Sequence, residues 1–394
     1  MSASADTTSS IIPMIDYQPR TRLIYGPGTI GLIGKISKDV GGQHVLLVTD
    51  QGLRNTGQID RATALIEEEG LNVTIFDEVQ PNPTTEDVER GLAVAKEINA
   101  EQIIGFGGGS SLDCAKGINF LFTNGGRMED YWGVGKAKKP MLPLIAIPTT
   151  SGTGSEAQSF ALIANPDTHM KMACGDKKAA CKVAILDPEL TVSMPVSVTA
   201  NTGIDAITHA VESYVTNRRT PISNLFAAEA WRLLHQGFTD IFKQADDVEA
   251  RGQMQLGAYY AGAAIENSML GAAHSCANPL SAHFGTTHGI AVGVMLPHVI
   301  RFNAKVAKRW YGELAEIAGL SDQNDPTASH KLADYIVSLI DSSGSPTSLK
   351  ACHVDRDLIP KLAKEASQQW TAQFNPREIT APDFEELYRC ALDT

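Results

Sequence analysis

Several things this sequence lacks narrow its function before any motif is read. No CxxC pair occurs among its six cysteines, Cys114, Cys174, Cys181, Cys276, Cys352 and Cys390, so neither a zinc ribbon nor a thioredoxin-type redox centre is written into it. A large acidic chain with scattered thiols belongs in a reducing compartment, where cysteines stay free and serve mostly as small apolar residues. No run of about 18 apolar residues is present, and the opening "MSASADTTSS" has no basic segment leading into an apolar one. Neither a membrane span nor a secretory signal is expected, and the expected location is the cytoplasm. Cations are the minority charge: 33 Lys and Arg against 45 Asp and Glu leave a net charge of −12. Such a balance, with the cations dispersed, repels phosphate backbones and anionic membranes, so nucleic acid and membrane are excluded as expected partners. There is no internal repeat and no low-complexity linker; only residues 1–12 read as a disordered tail.

What is present is an ordinary globular composition, 43% hydrophobic and 20% charged, with 34 glycines in 394 residues. That length exceeds a single core and predicts two domains. The pattern changes at "KVAILDPELTVSMP" (182–195), which places an α/β domain at 1–194 and an all-helical domain at 195–394. Before the change, "RLIYG" (22–26), "HVLLVTD" (44–50), "NVTIFDEV" (72–79), "QIIGFGGGS" (102–110), "LPLIAIPTT" (142–150) and "VAILDP" (183–188) read as strands. Amphipathic segments lie between most of them, such as "TTEDVERGLAVAKEINA" (84–100) with its Thr cap and acidic first turn. Apolar strands alternating with helices predict a parallel, Rossmann-like sheet covered on both faces. After residue 195, segments such as "SNLFAAEAWRLLHQGF" (223–238) and "DFEELYRCAL" (383–392) repeat apolar residues at three and four, the helical period.

Three stretches of the first half have the chemistry of a nucleotide site. "IIGFGGGSSLDCAKG" (103–117) reads as strand, glycine turn and helix. Gly108 and Gly109 would let the backbone approach a phosphate, and the helix N-terminus behind them offers unpaired N–H groups. The run is not a GxGxxG fingerprint, because Ser110 holds the last glycine's place, and a plain tight turn is the other reading. Asp50 ends the second strand, where a carboxylate either takes both hydroxyls of an adenine ribose, favouring NAD over NADP, or caps the next helix. "PTTSGTGSE" (148–156) is a second small-residue loop after a strand, with hydroxyls suited to a phosphate or a ribose.

The second half carries a histidine constellation. In "NTGIDAITHAVESYVT" (201–216), Asp205 and His209 are four apart and share one helix face, so both can bind one cation. "GAAHSCANPLSAHFGTTHG" (271–289) offers His274, His283 and His288 to complete the set. Pro279 is expected to interrupt the helix there, so that His274 and His288 come from different segments and converge. One Asp and three His around a divalent ion would carry +1 overall and suit Fe2+ or Zn2+ rather than Mg2+ or Ca2+.

In order along the chain, "YGPGTI" (25–30), "PNPT" (81–84), "GGGSSLD" (107–113), "PTTSGTGSE", "GIDAITHAVESYV", "HGIAVGVMLPHV" (288–299) and "NPRE" (375–378) resemble the iron-containing (group III) alcohol dehydrogenases of the lactaldehyde reductase and 1,3-propanediol dehydrogenase type. The resemblance implies a dehydroquinate synthase-like fold and a metal set of Asp205, His209, His274 and His288, leaving out His283 and His298. It implies NAD contacts from Asp50, Asn82, Gly108, Gly109, Ser110, Asp113, Thr149, Thr150, Thr153 and Lys171, the last placed by its distance from the Asp187–Pro188 pair. It further implies a homodimer or larger homo-oligomer. The implied activity is NAD-linked oxidation of small primary alcohols and diols, or reduction of hydroxy-aldehydes, by alkoxide-assisted hydride transfer with Fe2+ or Zn2+ as Lewis acid. One position departs: relatives commonly carry a histidine four residues after the first of the pair, in an "HxxxHP" context, where "HSCANP" has Asn278. Asparagine donates and accepts hydrogen bonds but takes up no proton at neutral pH, so Asn278 joins His274 and His288 as a candidate for setting the chemistry.

Three other readings compete. A dehydroquinate synthase-like lyase also uses NAD and a metal, but for a phosphorylated, carboxylated substrate; residues 201–216 and 271–289 contain no Lys or Arg to hold one. A related hydroxyacid or polyol dehydrogenase would share the fold and the cofactors. A non-catalytic protein that keeps both sites is the third class, suggested only by Asn278.

Overall fold

The computed structural model describes Ile15, residues 17–166 and residues 171–393; the expected tail, residues 1–12, lies outside the described residues. Nine strands are present among them: β1 (Arg22–Tyr25), β2 (His44–Val48), β3 (Asn72–Phe76), β4 (Gln102–Gly107), β5 (Gly133–Val134), β6 (Leu144–Pro148), β7 (Phe160–Ala164), β8 (Lys171–Gly175) and β9 (Val183–Leu186). The six runs read as strands from the sequence form one sheet in the order β1-β9-β6-β4-β2-β3, every pair parallel. Five helices accompany it: α1 (Ile33–Val40), α2 (Gln51–Arg54), α3 (Gln58–Glu68), α4 (Thr85–Glu97) and α5 (Gly109–Asn124).

The period-2 geometry of a strand explains how both faces close. Val45 and Leu47 of β2 point to one side and join Ile33, Ile36, Ile59 and Ile66 of α1 and α3. Leu46 and Val48 point to the other and join Val88, Leu112 and Ala115 of α4 and α5. Each such side chain taken fully out of water contributes roughly 2 kcal/mol, which is why these strands read as continuous apolar runs. Helix α4 begins where the sequence predicts: Thr84 caps it, and Asp87 returns a hydrogen bond from the Thr84 amide at 2.7 Å.

A second, three-stranded sheet in the order β5-β8-β7 was not legible as strands. Its members are short, β5 having only two residues, and neither the small and apolar "FALIA" nor the mixed "KMACG" alternates cleanly. Tertiary packing supplies what propensity does not, since Ile163, Met172 and Cys174 pack with Ile118, Phe120 and Leu121 of α5.

From Val196 onward the described chain is helical: α6 (Val196–Val215), α7 (Pro221–Ile241), α8 (Val248–Glu266), α9 (Ala272–Phe284), α10 (His288–Ile317), α11 (Ala328–Ser342), α12 (Ile359–Ser367) and α13 (Ala381–Asp393). They share one core that includes Trp231, Phe238, Tyr311, Phe384 and Tyr388. By length and composition α10 passes for a membrane span, but 61% of its apolar window is buried, as in the core helix of a folded domain. Pro279 does not break the helix as expected. It sits inside α9, where only the one bond its missing N–H would make is forfeited, and its neighbours Ala277 and Leu280 are fully buried. Gly285 ends the helix instead, in the left-handed conformation at φ 64.

The domains meet along the loop after β6. A Cβ on Gly154 would lie 2.6 Å from the Ala258 carbonyl oxygen, and one on Gly262 would lie 2.4 Å from that of Gly154, so this loop touches α8 backbone to backbone. Nearby, Gln255 donates to the Pro148 carbonyl at 2.9 Å, and Glu266 accepts from the Ser159 amide and hydroxyl at 3.0 and 2.7 Å.

Candidate active site

Adjacent parallel strands end on the same side, and ligands of such sheets bind outside those carboxyl ends. Here β2, β4 and β6 are neighbours and end in Asp50, the glycine turn and "PTTSGTGSE". Asp50 caps α2 through its Oδ1, which accepts from the Leu53 amide at 3.0 Å, while its Oδ2 faces the Ser111 hydroxyl at 3.5 Å. The capping reading of Asp50 is thus met. Helix α5 starts at Gly109 with no side chain capping it, leaving its first amides for an anion. Gly108 and Gly109 also let two loops converge: a Cβ on Gly109 would sit 2.6 Å from the Thr153 side chain, and one on Gly108 would touch Thr150. Ser110 accepts from the Asn82 amide at 3.2 Å, with Asn82 itself left-handed at φ 56. Thr149 is buried and its amide bonds to the Gly107 carbonyl at 3.0 Å.

Asp113 is placed differently from the others. It is buried beneath the loop, its Oδ1 accepting from the Ser155 hydroxyl at 2.6 Å, and Ser155 in turn is held by the buried Lys116 ammonium at 2.7 Å. Burial raises the Asp113 carboxyl, against the pull of Lys116 and Ser155. Lys171 opens β8 on the cleft, where crowding lowers its ammonium while Asp113 and Asp205 draw it back up.

Across the cleft, three helices bring four side chains to one point. Asp205 and His209 come from α6, His274 from α9, and His288 is the first residue of α10. Around Asp205 Oδ1 stand His209 Nε2 at 3.4 Å, His274 Nε2 at 3.5 Å and His288 Nε2 at 3.8 Å. The His209 and His274 rings stack at 4.8 Å, 15° from parallel. The site residues Asp205, His209 and His274 are buried, and their ligand atoms lie within 4.8 Å of one another. Asp205 Oδ1 and His274 Nε2 are buried without a hydrogen-bond partner. Two unpaired acceptors facing each other in a buried site are costly unless a cation or a proton lies between them. The donors are therefore suited to a divalent ion of the Fe2+ or Zn2+ kind.

The electrostatics agree with that use. Burial alone would raise Asp205, but the three histidines hold its carboxyl well below the usual range. Burial lowers His209 and pushes His288 down to about 3, although His288 keeps 30% of its side-chain surface open to the cleft. Both are thus neutral ligands. Burial opposes protonation of His274 too, yet the Asp205 carboxylate 3.5 Å from Nε2 and the Glu212 carboxylate bonded to Nδ1 outweigh that and raise it to about 9, so Nε2 faces Asp205 as a place for a cation, whether proton or metal.

Three residues near the expected set have other places. His283 faces outward and binds Glu365 at 2.7 Å. His298 lies three turns along α10, pushed down to about 4 by burial. Asn278 donates to Gln369 Oε1 at 2.9 Å, so the residue that departs from the family pattern is paired with a second amide. The sequence reading singled out neither Gln369 nor the buried Glu212. Glu212 carries a helical signal, being seven residues after Asp205 and three after His209; Gln369 carries none, since it meets Asn278 from 91 residues away.

Known proteins resemble this chain along nearly its whole length. Residues 19–188 match the family described as iron-containing alcohol dehydrogenase, and residues 199–392 the C-terminal part of the Fe-containing alcohol dehydrogenase family. The chain is 36% identical over 371 residues to an NAD-dependent methanol dehydrogenase of Bacillus methanolicus, covering 94% of this chain and 97% of that one. It is 33% identical to a 1,3-propanediol dehydrogenase of Klebsiella pneumoniae over 96% of this chain and 99% of the relative. A crystal structure of 1,3-propanediol oxidoreductase superposes with a TM-score of 0.93 at 33% identity, covering 96% of this chain and all of the other.

Proposed function

This chain belongs to the iron-containing alcohol dehydrogenase family, and from that premise we propose the form its chemistry takes: NAD-linked interconversion of a small primary alcohol, diol or hydroxy-aldehyde with its redox partner. The observation that carries this reading is the convergence of Asp205, His209, His274 and His288 opposite the uncapped start of α5. A divalent ion bound there, iron by family, supplies Lewis acidity toward a substrate oxygen. NAD supplies the hydride acceptor.

The chain's own residues do the rest. Amides at the start of α5 and the hydroxyls of Ser110, Thr149, Thr150 and Thr153 orient the dinucleotide, with Asn82 and Lys171 on its flanks. Asp50 selects against a 2′-phosphate. Asp113 acts from below by holding Ser155 in the loop. Neutral His209 and His288 keep lone pairs for the ion, and ionised Asp205 balances part of its charge. In proton handling, Asn278 and Gln369 orient a hydroxyl by hydrogen bonding, and water carries the proton.

The lyase alternative is not favoured, since both halves match dehydrogenase families. We further infer a cytoplasmic homodimer or larger homo-oligomer, as the acidic composition and the family resemblance imply. The deciding experiment is metal analysis of the purified protein together with a panel of short alcohols and aldehydes followed at the NADH absorbance band. Turnover is expected with iron bound and is expected to vanish on chelation; full activity in demonstrably metal-free protein would overturn the reading.

A further inference from the structure

Glu212 is 3% exposed, and a carboxylate that deep in a protein must be bonded. It stands on the same face of α6 as Asp205 and His209, and both of its oxygens reach α9. Oε1 accepts from the Ala273 amide at 2.7 Å, and Oε2 accepts from His274 Nδ1 at 2.6 Å. The N-cap of α9 is Gly271, which has no side chain to satisfy the helix's first amides. Glu212 does so from another helix. Gly271 also makes the approach possible, since a Cβ there would lie 3.1 Å from Glu212 Oε1 and 3.2 Å from Asn375 Oδ1. Behind it, the Asn375 amide is locked in reciprocal bonds with Asn303 at 2.8 and 2.9 Å, so the "NPRE" stretch braces this end of the helix.

The bond to Nδ1 fixes more than position. A carboxylate only accepts, so the imidazole must donate from Nδ1, and the neutral ring then bears its lone pair on Nε2, the atom aimed at Asp205. We propose that Glu212 is the positioning residue of the metal site: it sets the tautomer and ring orientation of His274 while anchoring the start of α9, so that the ligand set is assembled before the ion arrives. Its charge has a further effect. A divalent ion with Asp205 and Glu212 around it is neutralised as a unit, whereas Asp205 alone leaves one positive charge. The inference rests on the metal-site reading above.

The test uses the whole chain, stripped of metal and titrated with Co2+ against a chelating dye. Glu212→Gln keeps the side-chain shape and an acceptor for Ala273 but turns a donor toward Nδ1, favouring the wrong tautomer. Weakening of Co2+ affinity by about ten- to a hundredfold is expected for it, with far-ultraviolet circular dichroism unchanged. Asp205→Asn is the companion variant. Undiminished Co2+ binding by Asp205→Asn would sink the metal site itself; loss of binding there with parental affinity in folded Glu212→Gln would sink only the role of Glu212. Nitrogen-15 histidine spectra of the Zn2+-loaded parent give a readout that needs no variant. His274 should carry its proton on Nδ1 and bind through Nε2, and binding through Nδ1 would overturn the proposal even if Glu212→Gln fails to fold.

Discussion

At the scale of single residues, burial decides how a group behaves, and Glu156 shows it most directly. It ends the "PTTSGTGSE" loop, is 3% exposed, and is raised to about 7 by burial, with Lys116 opposing and Asp113 adding to the shift. The folded state therefore holds this proton more tightly than the unfolded chain, whose carboxyl sits near 4.5. Stability from this source is complete below about 4.5 and is lost as pH rises through about 7, a change on the order of 3 kcal/mol. Replacing Glu156 with Gln should flatten that dependence. Urea midpoints at pH 5 and pH 8 should differ less in Glu156→Gln than in the parent, and equal differences would refute the assignment. Asn278 makes the complementary case: it adds no titration to the cleft. Asn278→His should introduce an ionisation between about pH 6 and 8 into the profile of kcat/KM, and a profile identical to the parent's would show that the amide pair with Gln369 has no part in proton handling.

At the scale of elements, what the sequence disclosed depended on whether a signal was periodic or spatial. All six strands of the main sheet and the stripe of Asp205 and His209 on α6 announce themselves through local period and spacing. The small sheet does not, because β5, β7 and β8 are held by packing on α5 rather than by their own pattern. Nor does Pro279 reveal that its helix runs on, since the burial that outweighs one missing bond comes from other helices. Glycines were read as making room for a phosphate, and Gly109 also makes room for Thr153. For Gly154 the close approach is to α8 at φ +60. Gly154→Ala should therefore destabilise the protein by roughly 3 kcal/mol through left-handed strain and backbone overlap, and it should raise KM for NAD. A thermal scan and a cofactor titration check the two parts separately.

At the scale of the whole molecule, the proposed ion and the dinucleotide are held by different domains, one by the helices α6, α9 and α10 and one by the strand ends. An ion that binds only the folded chain stabilises it by mass action, about 4 kcal/mol at a thousand times its dissociation constant. Metal removal should accordingly lower the Tm of the protein, and readdition of the ion should restore it. A Tm insensitive to chelation would contradict the ligand assignment. Sequence legibility follows the same division: the ligand residues lie on two local motifs, whereas the groups that support or flank them, Glu212 and Gln369, matter only once helices are packed.

Gly289, the residue after His288, has a last consequence. A Cβ there would fall 1.9 Å from the Asn201 carbonyl oxygen, so the start of α10 is pressed against α6 main chain to main chain. With Gly154 against α8, this leaves the proposed ion site and the proposed cofactor loop each resting on a glycine that no side chain can replace without moving main chain. The contact between Asn278 and Gln369, by comparison, is made from side chain to side chain. Substitution at that pair leaves both main-chain contacts untouched, so the scaffold admits change there at lower cost than at either glycine.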